Sequence, residues 1–73
     1  MSEITFKITK KIAVLSVSSR GWSKELNLVE WNGRAAKLDI REWSPDHDKM
    51  GKGVTVSYEE AKILLEALKE LFS

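Results

Sequence analysis

Seventy-three residues make one small domain, residues 1–73, with too little chain for a second hydrophobic core and a tendency to gain stability by dimerising. Lys and Arg number 12 against 11 Asp and Glu, so a net charge of +1 does not by itself advertise a polyanion partner, and charge placement carries more information than its sum. The absence of cysteine excludes disulfides and thiolate metal sites, and no apolar run reaches the length of a signal peptide or a membrane span; a cytoplasmic protein is expected.

Residues 4–18 are rich in Ile, Val and Thr and predict one long first strand. Phe6 and Ile8 share a face, whereas residues 12–17 are apolar on both, which predicts a bend or bulge near Lys10 and Lys11. Residues 18–23 connect to a second strand over 24–31, with Leu26 and Leu28 on one face and Asn27, Val29 and Trp31 on the other. Asn32-Gly33 is the strongest short hairpin signal, because a type I′ turn needs positive φ at both central residues. A third strand follows over residues 37–43. Lys37, Asp39, Arg41 and Trp43 lie on one face, Leu38 and Ile40 on the other. Pro45 ends it, residues 44–52 form a charged loop, and residues 53–56 form a short fourth strand.

Ser57-Tyr58-Glu59-Glu60 is a capping box that opens a helix. Ala61, Leu64, Leu65, Leu68, Leu71 and Phe72 form its apolar stripe, with Glu59, Lys62, Glu66, Lys69 and Glu70 opposite. The expected class is therefore α+β, a four-stranded antiparallel sheet followed by one C-terminal helix. The helix is expected to cover the face of Leu26, Leu28, Leu38, Ile40, Val54 and Val56. The opposite face, with Asn27, Trp31, Arg41 and Trp43, is expected to stand open, and tryptophans interleaved with cations on an open sheet face suit stacking on unpaired bases. The helix stripe is wide for so small a sheet, which predicts a homodimer through helix and sheet edge.

The run Asp39-Ile40-Arg41-Glu42-Trp43 followed by Lys49-Met50-Gly51-Lys52-Gly53-Val54, preceded by the hairpin Trp31-Asn32-Gly33-Arg34, resembles the single-stranded-DNA-binding core of the positive cofactor four transcriptional coactivators, closest to short bacterial members of the YdbC type. The resemblance covers nearly the whole chain. It implies a homodimer whose sheets line grooves for unpaired nucleic acid. It assigns base stacking to Trp31 and Trp43, and phosphate contacts to Arg34, Arg41, Lys49 and Lys52. Asn27, Asn32 and Lys37 adjoin that path. The first connection is longer than in the family and adds Arg20 and Trp22 as further binding candidates, with Lys24 beside them at the start of the second strand; Trp22 could equally serve only to clamp the hairpin. Asn32 and Val29 stand where eukaryotic members often carry basic residues. Without a long acidic or serine-rich stretch in these residues, a coactivator role is not carried over.

Competing readings are weaker. Asp46-His47-Asp48 lacks the convergence of a metal site and the spacing of a calcium loop, so no metal or other cofactor is expected. One histidine, no nucleophile–base context and no Gly-rich phosphate loop argue against an enzyme. Gly51 and Gly53 are read as loop glycines. The expected function is sequence-tolerant binding of single-stranded DNA, with RNA as a second candidate ligand and transcription or replication proteins as candidate partners. The alternative is a dimeric protein-interaction module whose aromatic face receives a peptide or another protein.

Overall fold

The computed structural model describes residues 4–73. Its elements are β1 (Phe6–Val17), β2 (Ser23–Trp31), β3 (Lys37–Trp43), β4 (Met50–Val56) and α1 (Tyr58–Phe72). The strands form one antiparallel sheet in the order β1-β2-β3-β4, so the expected ββββα architecture is the one found. The bend expected in β1 is a set of three register irregularities against β2, between Ile8 and Lys10, Lys11 and Ala13, and Val14 and Ser16. Each bulge increases the local right-handed twist, so β1 coils along its length.

Asn32 (φ 52°) and Gly33 (φ 74°) make the expected type I′ turn, closed by the Arg34 N–H donating to the Trp31 carbonyl at 2.9 Å. The turn does not lead straight into β3, whose pairing with β2 starts at Lys37 opposite Val29. Asn32 instead ties the hairpin to the start of β1. Its N–H donates to the Thr5 carbonyl at 2.8 Å, and the Thr5 N–H donates to its Oδ1 at 3.0 Å. β4 begins at Met50 rather than Gly53, so Gly51, Lys52 and Gly53 lie in a strand and not in a loop. Gly53 faces Arg41, and a Cβ there would stand 2.5 Å from the Ile40 carbonyl oxygen and 2.6 Å from the Arg41 Cβ. Only glycine lets β4 approach β3 so closely.

The helix starts where the sequence places it. Ser57 Oγ accepts from the Glu60 N–H at 3.1 Å, and Glu60 Oε1 accepts from the Ser57 N–H at 2.8 Å. It does not cover the sheet: none of its residues is buried, and Leu64, Leu65 and Leu68 stay 40%, 53% and 43% exposed. Leu26, Leu28, Leu38, Ile40 and Val56 are only half-buried, and Val54 is exposed.

The enclosed side of the sheet is the one expected to be open. Val29, Trp43 and Asp39 have no exposed surface, and Asn27 and Glu25 have almost none. The reason is the roll of the sheet. Trp31 sits opposite Phe6 at one end of β2, and Trp43 sits opposite Ser23 at the other. On a flat sheet that strand length would separate the two tryptophans by roughly 26 Å. Yet the Phe6 ring lies 6.1 Å from Trp31 and 5.1 Å from Trp43. Two diagonal corners therefore meet over the concave face, and the sheet forms a core without help from the helix. No helix among the described residues is long and apolar enough to cross a membrane.

Candidate nucleic-acid interface

The concave face is held by a polar network as much as by its aromatics. Asp39 accepts from Arg41 Nε at 3.0 Å, from Arg41 Nη2 at 3.0 Å and from Thr55 Oγ1 at 2.9 Å. Arg41 Nη1 donates to the Gly51 carbonyl at 3.3 Å, and its guanidinium lies 5.0 Å from the Trp31 ring centroid. Glu25 accepts from Asn27 Nδ2 at 3.1 Å and from the Ser23 hydroxyl, and pairs with His47 Nε2 at 2.8 Å. Burial alone would push the Glu25 carboxyl up, but the hydrogen bonds of Ser23, Asn27 and His47 outweigh it and hold its pKa below the ordinary value. His47, at φ 59°, also stacks on Trp43 with ring centroids 5.9 Å apart, which anchors the β3–β4 loop to the core.

Two aromatic–basic groups remain nearer solvent, at opposite ends of β2. At the hairpin end, Trp31 is half-buried beneath Arg41 and Phe6, with Arg34 and Lys37 exposed beside it in the chain. At the other end lies a groove of about 670 Å³ between the end of β1, the Ser18–Trp22 loop and β4. Arg20, Trp22, Lys24, Glu42, Gly51 and Lys52 line it. The loop is shaped by Ser18, whose Oγ accepts from the Arg20 and Trp22 N–H groups at 3.3 and 3.2 Å. Gly21 (φ 84°) completes the reversal against Pro45, where a Cβ would come within 3.1 Å of the proline ring.

Residues 18–67 match the family model of the transcriptional coactivator p15 (PC4). The chain belongs to the PC4 family. It is also 47% identical over 66 residues to an uncharacterized protein of Treponema pallidum (strain Nichols), a match covering 90% of this chain and 78% of that protein. A bacterial relative of that length accords with the short PC4-like members that the Asp39–Trp43 run resembles.

Within this PC4 chain the expected binding residues divide. Arg20, Trp22, Lys24 and Lys52 are gathered in one groove; Trp31, Arg34 and Lys37 stand at the far hairpin; Lys49 is exposed in the β3–β4 loop. Two expectations need correction. Trp43 is wholly enclosed between Phe6 and His47 and offers no face to a base. Asn27 is 1% exposed, with its Nδ2 donating to Glu25 and its Oδ1 buried without a partner among the described residues. Arg41 is paired with Asp39 and Asn32 is bonded to Thr5, so both also build the fold. The sequence alone gives Glu42 no binding role, reads Gly51 only as a loop glycine, and carries no sign of the Glu25–His47 pair. The alternation of β3 already puts Glu42 on the face opposite Arg41; the contact of His47 with Glu25, 22 positions apart, has no local signal.

Proposed function

We propose that this protein binds single-stranded nucleic acid, DNA first and RNA second, with little dependence on sequence, through its solvent-facing aromatic and basic ends. The observation that carries the proposal is the groove in which Arg20, Lys24 and Lys52 surround Trp22 in a chain of the PC4 family. An indole among cations supplies the two terms such binding needs. Base stacking contributes roughly 1–3 kcal/mol per base and tolerates any base, and the cations release counterions from phosphates. Trp31 with Arg34 and Lys37 would extend the path at the opposite end of β2. The protein acts as a binding module without catalysis, in the cytoplasm and at the nucleoid, presenting or protecting unpaired strands during transcription, replication or repair.

We further propose a homodimer. The apolar stripe of α1 and the half-buried outer face of the sheet are surfaces a second copy would cover, and Ile63, Leu71 and Phe72 are each at least 70% exposed. Titration of labelled oligo-dT and of a duplex of equal length, followed by anisotropy at several salt concentrations, tests the binding. Three groove cations predict tighter single-strand binding and a log–log salt slope of about −2 per groove. Equal affinity for duplex, or binding indifferent to salt, would favour the peptide-binding alternative.

A further inference from the structure

The groove contains one residue that phosphate binding does not explain. Glu42 lies opposite Lys24 across the β2–β3 ladder and lines the groove with Arg20, Trp22 and Lys52. Its carboxylate makes no ion pair and no hydrogen bond to any of these among the described residues, although three cations share the groove. It borders Gly51 instead. A Cβ built on that glycine would stand 3.1 Å from Glu42 Oε1 and 3.6 Å from Trp22 Cζ3. The glycine thus keeps a carboxylate oxygen and the rim of the indole beside one open space. A carboxylate repels phosphate, so its presence there weakens backbone binding. It is suited to accept hydrogen bonds from N–H groups on the edge of a base stacked on the indole.

We infer that Glu42 is a specificity-determining residue that favours guanine at the Trp22 subsite. Guanine offers two adjacent N–H donors on its Watson–Crick edge, N1–H and the N2 amino group, which a carboxylate accepts in bidentate fashion. Thymine offers N3–H alone, between two carbonyl oxygens that the carboxylate repels. The inference rests on the single-strand reading of the groove and adds a preference to it. A good bidentate contact discriminates roughly 5- to 150-fold against the wrong base.

The test compares the affinity of the wild-type protein and Glu42→Gln for oligo-dT, an alternating d(GT) strand and the same strand with inosine for guanine, which lacks the N2 amino group. Expected is d(GT) bound at least about five-fold more tightly than oligo-dT. Inosine substitution should lose most of that margin. Glu42→Gln should bind oligo-dT no more weakly than wild type while the guanine margin collapses, because glutamine replaces one acceptor by a donor. Circular dichroism on the variant establishes that it is folded. Equal affinity for all three strands, or a guanine margin that survives Glu42→Gln, overturns the inference and leaves single-strand binding intact. Failure to bind any single strand overturns both.

Discussion

The rolled sheet and the helix reverse the roles their residues suggest. The concave face is rich in polar groups, with Glu25, Asn27, Asp39 and Arg41 in its ladders, yet it is the enclosed part of the molecule. The helix is apolar along one side, yet none of its residues is buried. Burial follows from which groups find partners. Asp39, Arg41 and Thr55 satisfy one another, and Ser23, Asn27 and His47 all bond to Glu25, so hydrogen bonds offset much of the desolvation of the concave face. Asn27 Oδ1 and the Trp31 and Trp43 Nε1 groups are buried without a partner among the described residues. The helix stripe has no counterpart among the described residues, and it is the surface that the proposed homodimer would cover. Interior and proposed binding surface are thus separated along β2: Trp43 closes the core, and Trp22, just before β2, lines the groove.

The contrast is broken most forcefully at Trp43. Trp43→Ala empties the contact between Phe6 and His47 and is expected to cost about 3–5 kcal/mol in denaturant unfolding. Asp39→Ala leaves the Arg41 guanidinium without its anion and Thr55 without its acceptor. It is expected to destabilise by about 3 kcal/mol, the lower part of the range for a broken buried pair because Arg41 keeps 17% exposure. On the helix the opposite result is expected. Leu65→Glu should leave the far-UV circular dichroism unchanged while raising the dimer dissociation constant on the order of tenfold or more, measured by sedimentation equilibrium.

The smallest effect belongs to pH. The Glu25 pKa is lowered in the fold, so its contribution to stability is full above its ordinary value of 4.5 and is lost as pH falls through the folded value. Unfolding midpoints between pH 6 and about 3 should therefore fall less steeply for Glu25→Gln than for the wild type.

Much of the fold was legible because its signals are local. The capping box of Ser57 and Glu60, the Asn32-Gly33 turn and the strand alternation each operate within a few residues. The inner face was misassigned because roll is cooperative: three bulges in β1 and the close approach at Gly53 let Phe6 reach Trp43, and no short window records that contact. For the same reason Trp43, beside Arg41 in a strand pattern, looked like a stacking platform. Lys52, Arg20, Trp22 and Lys24 were legible as residue types of the right chemistry, but their convergence depends on Ser18 and Gly21 turning the first loop against Pro45.

The division of labour along β2 is tested most directly by one variant read two ways. Trp22→Ala should unfold near the wild-type denaturant midpoint while its affinity for oligo-dT falls roughly 5- to 150-fold, the loss expected for one stacked base. A large loss of stability, or an affinity equal to wild type, would place Trp22 in the framework of the fold and contradict the assignment of the groove as the binding site.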